Sequence, residues 1–303
     1  MSRASSSVDG RSSSVGRPVS AAVRSVRLPA FAKATACLAK ARVYRASDAD
    51  SRIVILVAMV LAALTHLSAQ SDPRQIVAEA QRRSAATSQR YEGLLQVLDA
   101  SGRVADKRWI FTRLGSHGRS RAVLRFLAPP EVKGVALLIV NHPDRASDQW
   151  MWTPALQRER RIALQDRSTR FFGTDFSFED LEERDVNQYD YRLMGEQTID
   201  GAACWRTESV PAERKTSQYT KSEVWIRKDN YALAQVESYV KTALVRRLKY
   251  SDFVQVQGIW TGRRMEMTDL RRNSRTMLTL EKLEYNLPLR EEDFTLQALR
   301  YPL

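Results

Sequence analysis

From Tyr91 to Asn286 the chain is a succession of short runs rich in Val, Ile, Leu, Trp, Tyr and Thr, separated by turns carrying Gly, Asn, Asp or Pro. No other feature constrains the fold as much, because the rhythm demands antiparallel strands with tight connections. GLLQVLDASGRVADKRWIFTRLG sets an Asp-Ala-Ser-Gly turn between two such runs. RAVLRFLAPP ends on two prolines, and VALLIV is a continuous apolar strand. SDQWMWTP puts Trp150 and Trp152 on one face with Met151 opposite. SEVWIRKDNYALAQVESYV, TALVRRLKYSDFVQVQGIWTGRRMEMTDL and SRTMLTLEKLEYN continue the up-and-down pattern, with Met265 and Met267 alternating with Glu266 and Thr268. In the last run Leu278, Leu280, Leu283 and Tyr285 break phase between 280 and 283, which predicts a bulge that curves the sheet. No period of roughly 20–50 residues recurs, so a propeller or solenoid is excluded.

The reading gives about ten or eleven strands with one long and one short helix. The fold class is α+β, mostly β: a large antiparallel sheet wrapping helices. The long helix opens at Asp72-Pro73, an N-cap followed by proline at the first helical position. Ile76, Val77, Ala80 and Ala85-Ala86 then recur on one side. The short helix lies in RFFGTDFSFEDLEERD (170–185), where Ser177 and Asp180 have capping-box spacing and Phe171, Phe172, Phe176, Phe178 and Leu181 supply apolar anchors. It reads as a short capped helix plugging the sheet. A metal site from Asp175, Glu179, Asp180 and Asp185 is the weaker alternative, since the Gly-centred loop of an EF-hand is missing.

Residues 51–69, SRIVILVAMVLAALTHLSA, carry the most apolar stretch. Ile53 to Leu67 is short of the roughly 20 residues of a spanning helix. A basic flank, an apolar core and small residues at its exit are the parts of a secretory signal, with cleavage near Ala69. A retained anchor or a core helix are the alternatives. Residues 1–50, rich in Ser, Arg and Gly, read as a disordered extension or as sequence upstream of the true start. Residues 1–69 hold ten of the 48 basic and three of the 35 acidic residues. Without them the formal charge of +13 becomes +6, from 38 basic and 32 acidic residues, which weakens the case for nucleic acid. The remaining domain, 70–303, suffices for one sizeable core. Its single cysteine, Cys204, excludes an internal disulfide.

Little points to catalysis. His117 in LGSHGRS and His142 in NHPD read as exposed turn histidines, and Cys204 as a small strand hydrophobe. No phosphate loop or Cys/His metal spacing appears, so neither cofactor nor metal is expected. The basic run QRERRIALQDRSTR offers Arg158, Arg160, Arg161, Arg167 and Arg170 as candidates for an anionic headgroup or an acidic partner surface.

The order FLAPPEVKGVALLIV, QWMWTP followed by RERRI, GTDFSFEDL, YTKSEVWIRKDNYALAQVESY and the closing NLPLREEDFTLQAL resembles the LolA-like outer-membrane lipoprotein-sorting proteins, in particular an uncharacterised branch found beside RND-type exporters. The resemblance spans about residues 90–303. It implies a half-open antiparallel β-barrel with helices covering the concave face and an apolar cavity for acyl chains. No lipobox cysteine follows the signal, which favours a carrier over an anchored receptor. The closing segment (Phe294, Leu296, Leu299) is expected as a final strand or sheet edge. Candidate cavity residues are Leu124, Phe126, Trp150, Trp152, Phe176, Phe178, Trp225, Met265, Met267, Leu278 and Leu280. The expected function is a monomeric periplasmic carrier or chaperone for lipoprotein or lipid acyl chains, with an inner-membrane transporter as a further partner and no enzymatic activity. The alternative is a non-catalytic sensor or interaction module working with an RND-type exporter or an envelope-stress regulator.

Overall fold

The computed structural model describes residues 72–301. The expected extension (1–50) and signal segment (51–69) lie outside the described residues. The strands are β1 (Ser88–Leu98), β2 (Val104–Ser116), β3 (Arg119–Ala128), β4 (Ala136–Val140), β5 (Asp148–Thr153) and β6 (Arg158–Arg161), then β7 (Tyr189–Ile199), β8 (Ala202–Pro211), β9 (Lys221–Arg227), β10 (Leu233–Val240), β11 (Ala243–Val256), β12 (Ile259–Asp269) and β13 (Ser274–Tyr285). All thirteen join one antiparallel sheet in the order β6-β5-β4-β3-β2-β1-β13-β12-β11-β10-β9-β8-β7. Two meanders therefore run outward from a central β1·β13 pair, and β6 and β7 are the free edges. The sheet is a half-open barrel. It has more strands than the pattern suggests because segments such as β6, RERR, carry no apolar alternation and become strands only by pairing, here with β5.

Curvature is concentrated where the phase break predicts it. In the β1·β13 ladder Glu92 faces Lys282 but Gly93 faces Leu280, so Glu281 is the extra residue of a bulge. Gly93 permits that approach: a Cβ there would stand 2.0 Å from the Thr279 carbonyl oxygen.

Helix α1 (Pro73–Ser84) is capped by Asp72, whose carboxylate accepts from Arg74 N–H at 2.9 Å. Its buried side, Ile76, Val77 and Ala80, lies on Val224 and Ile226 of β9. Burying each large aliphatic contributes roughly 1.5–3 kcal/mol. The helix ends at Ser84, short of Ala85-Ala86, where Ala85 takes an extended conformation that leads into β1.

The closing segment is not a strand. It forms a 3-10 turn (Glu291–Phe294) and helix α2 (Leu296–Arg300), which fold across the convex face. Three acidic residues in the first turn suit its dipole, and Thr295 caps α2 by accepting from Ala298 N–H at 3.1 Å. Phe294 and Leu299 bury against Val123, Ala136, Leu138 and Trp152. Arg125 Nη2 donates to the carbonyls of Ala298 (3.2 Å) and Leu299 (2.8 Å), groups that a helix end leaves open.

Candidate functional site

Residues 162–188 connect the two free edges, leaving β6 and entering β7, and they strap the concave face. Aromatic and polar pegs hold this strap. Phe171 stacks on Phe126 with ring centroids 5.4 Å apart and meets Phe178 edge-on at 5.6 Å. Asp175 is fully buried and accepts from Ser274 Oγ (2.5 Å), Thr276 Oγ1 (2.7 Å) and Arg170 Nη2 (3.0 Å). The Ser177–Asp180 box forms as the spacing predicts: Ser177 N–H donates to Asp180 Oδ2 at 2.7 Å, and Asp180 N–H to Ser177 Oγ at 3.3 Å. It supports one 3-10 turn, Glu179–Leu181, and not an α-helix. The next two residues are drawn to partners on either side, Glu182 to Arg167 (2.8 Å) and Glu183 to Arg113.

Between the strap, α1 and the sheet lies a cavity of about 470 Å³. Leu124, Phe176, Met265, Met267, Leu278 and Leu280 line it. Phe126 and Phe178 belong to the adjoining core, where they hold Phe171. Trp150, Trp152 and Trp225 face the other way. Trp152 lies opposite Ala136 and under α2, and Trp150 packs in the same convex cluster. Trp225 packs on Cys204, with its Nε1–H donating to Gln197 Oε1 at 3.0 Å and the Arg206 guanidinium 5.4 Å from its ring. Strand parity decides each case: a shift of one residue moves a side chain to the opposite face. The sequence reading passed over Trp109 and Phe111 of β2 and Tyr250 and Phe253 of β11, which also line the cavity. The i, i+2 spacing of Trp109 and Phe111 was the available signal.

One end of the cavity is polar. Arg246 Nη1 donates to Asp180 Oδ2 (2.5 Å) and Tyr219 Oη (2.7 Å), while Tyr219 donates to Asp180 Oδ1 (2.7 Å). Burial pushes the Tyr219 phenol well above its ordinary range and Tyr250 up to about 12, so both stay neutral, Tyr219 as the donor to Asp180.

Beside them Ser84, His117 and Glu183 form a row. Ser84 Oγ lies 3.2 Å from His117 Nε2, and His117 Nδ1 lies 3.6 Å from Glu183 Oε1. The order is that of a nucleophile, base and acid, but the surroundings are those of a latch. Ser84 Oγ is within bonding distance of the Ala80 (3.0 Å) and Gln81 (3.1 Å) carbonyls at the negative end of α1. The N–H groups that follow are committed, Ala85 to the Arg82 carbonyl, Ala86 to Ser116 Oγ and Thr87 to Asn286 Oδ1, so none of these three can receive an oxyanion. The row ties the end of α1 to the β2–β3 turn, where His117 (φ 40°) and Gly118 (φ 85°) make a two-residue hairpin.

His117 lies in a turn as expected and His142 in the irregular loop between β4 and β5, but neither is freely exposed. The His117 side chain is 23% exposed, and that of His142, 25% exposed, meets Asp148 Oδ2 at 3.0 Å. Burial lowers the His117 pKa from its ordinary 6.5, with Arg113 adding to the effect and Glu183, Arg184 and Asp185 opposing it. The fold thus disfavours His117 in its protonated form. Its contribution is complete above about pH 6.5 and is lost as pH falls through the lowered value. Glu182, raised by burial, works with the opposite sign above its ordinary 4.5. Between about pH 7.5 and 5 the melting temperature of a His117→Asn variant should fall less than that of the wild type. Parallel slopes would contradict this assignment.

The carboxylates considered for a metal are all committed. Asp175 and Asp180 are bonded as above, Glu179 accepts from Ser217 and from Gln218 N–H, and Asp185 accepts from Asn187 N–H at 2.7 Å. Among the described residues no group of three His, Cys, Asp or Glu side chains is placed to hold a metal ion. No described helix is long and apolar enough to cross a membrane.

The basic run does not form one surface. Arg158, Arg160 and Arg161 are exposed on edge strand β6, where Arg161 reaches Asp148 at 2.5 Å. Arg167 is buried against Glu182, and Arg170 is bound to Asp175 and to the Gly173 and Thr174 carbonyls.

An antiparallel sheet left open at two edges, strapped across its concave side and enclosing an apolar cavity, defines a half-barrel of the ligand-holding type. A family model described as "-like: Uncharacterized protein" matches residues 118–301. The chain is similar to an outer membrane lipoprotein-sorting protein domain from Vibrio parahaemolyticus, at 27% identity and TM-score 0.72, over 75% of this chain and 98% of that one. It is also similar to a DUF1329 family protein from Desulfovibrio piger, at 26% identity and TM-score 0.72, over 76% of this chain and 100% of that one. A LolA superfamily protein from Nitrosomonas europaea shares the fold at 18% identity and TM-score 0.60, over 75% of this chain and 100% of that one. No curated protein matches the sequence. The chain belongs to the LolA-like outer-membrane lipoprotein-sorting protein family, within the uncharacterised group whose model it matches.

Proposed function

We propose that the protein is a periplasmic carrier or chaperone that holds the acyl chains of a lipoprotein or lipid in its cavity during transport to the outer membrane. The observation that carries this reading is the cavity of about 470 Å³ between strap and sheet, lined by methionine, leucine and aromatic side chains. Its size falls in the roughly 300–1,000 Å³ range of ligand pockets. Flexible thioethers and flat rings accommodate chains of varied shape. Each methylene transferred from water contributes about 0.8 kcal/mol, so affinity needs no specific polar contact. Loading proceeds by reversible separation of strap and α1 from the sheet, without covalent chemistry. In this scheme residues 70–303 are the mature, monomeric domain, released by cleavage near Ala69, and an inner-membrane transporter supplies the cargo.

Titration with a fluorescent fatty-acid analogue tests the reading. The wild type is expected to bind it saturably. Met265→Trp, which fills a partly buried lining position, should weaken binding at least about tenfold while leaving the melting temperature nearly unchanged. A wild type without saturable binding would rule the reading out.

A further inference from the structure

A second groove lies at the other end of the strap, formed by the β1–β2 turn, the β12–β13 turn and residues 170–173, with a volume of about 580 Å³. Four cations line it: Arg103, Lys107, Arg170 and Arg272. Lys107 is the unusual one. It stands on β2 two residues from buried Trp109, in the row that faces the core, and pairs in register with Leu95. It is half-buried, and among the described residues its Nζ has no carboxylate within 4.0 Å and no hydrogen bond. The carboxylates of the adjoining segments are spent elsewhere: Asp106 accepts from Gln96, Asp99 from Arg103, and Asp175 from Ser274, Thr276 and Arg170. Arg272 has only a distant contact, 3.9 Å, with Asp269. Burial and the charge of Arg170 both lower the Lys107 pKa, as expected for a cation lacking a counter-charge. Around these cations the rim is apolar and open: Val104 is 58% exposed, and Ala100 and Ala105 are exposed beside it.

We propose that this groove is a docking site for the phosphate of an anionic phospholipid, by which the β1–β2 hairpin seats the protein on a membrane surface. A phosphate brings the missing counter-charge to Lys107 and Arg272, and the exposed Val104 and alanines meet the acyl boundary beneath the headgroups. The site is separate from the main cavity: no residue lines both, and Val97 in the groove's wall belongs to the core with Phe126 and Phe171. It therefore does not depend on the cavity being loaded.

Sedimentation with vesicles tests it, comparing phosphatidylcholine alone with phosphatidylcholine mixed with phosphatidylglycerol. The wild type should bind only the mixed vesicles, and more weakly as salt is raised. Lys107→Gln and Arg272→Gln should each weaken that binding about fivefold, and the double variant about 25-fold. Lys107→Gln should melt no lower than the wild type, because it removes a cation without a partner. Arg158→Gln with Arg160→Gln removes the same net charge from β6 and should leave vesicle binding unchanged, as should Met265→Trp. An equal loss from the β6 pair would reduce the effect to net charge and overturn the proposal. So would wild-type indifference to phosphatidylglycerol, or binding of soluble glycerol phosphate in the groove without binding to vesicles.

Discussion

Asp175→Ala is expected to lower the unfolding free energy by about 3–5 kcal/mol. The carboxylate is wholly buried and is the shared acceptor of Ser274, Thr276 and Arg170, while its own N–H donates to Thr276 Oγ1 at 2.8 Å. Alanine would leave two buried hydroxyls without that acceptor and a guanidinium without its counter-charge. The strap would then keep only the residue-175 N–H bond to Thr276 Oγ1 as its polar attachment to β13 among the described residues. Asp175→Asn keeps one acceptor oxygen but not the charge, so an intermediate loss is expected. Denaturant unfolding should show a lower midpoint at unchanged slope. A loss below about 1 kcal/mol for the alanine variant would mean that this peg does not hold the strap.

Phe171→Ala should cost a comparable amount, about 3–5 kcal/mol, by a different route. Phe171 is 1% exposed, and its ring packs against Phe126, Phe172 and Phe178 with centroids 5.2–5.6 Å away. Truncation leaves a void that these rings cannot fill without leaving their own positions. The space opens in the core behind the strap and does not obstruct the main cavity. Phe171→Ala should therefore keep its affinity for the fatty-acid analogue when assayed well below its melting point, whereas Met265→Trp should not. Loss of binding with unchanged stability would reverse both assignments.

Which parts of the molecule were legible depended on the range of the interactions that decide them. The α1 cap at Asp72, the Asp99–Gly102 turn, the Ser177–Asp180 box and the bulge at Glu281 are local, and each appears where the residue pattern puts it. Trp150 and Trp152 do share a face, as the alternation demands, but the pattern cannot say which face is concave. That was settled by α2, whose Phe294 and Leu299 cover the convex side and so make Trp152 part of a second, outer core. The closing segment read as a strand because its apolar residues are too few to show a period. Its acidic first turn and Thr295 cap carry the helical information instead. The histidines were least legible. His117 sits in a polar turn by sequence, and only the strap and α1, brought together from distant parts of the chain, bury it beside Glu183 and Ser84.

The most direct test of the account is mass spectrometry of what co-purifies with residues 70–303 from a bacterial envelope, with the Met265→Trp variant in parallel. The wild type is expected to carry lipid or acylated peptide in near-equimolar amount, and the variant to carry much less. A wild type that emerges empty, and that also fails to take up a fatty-acid analogue afterwards, would contradict the carrier function.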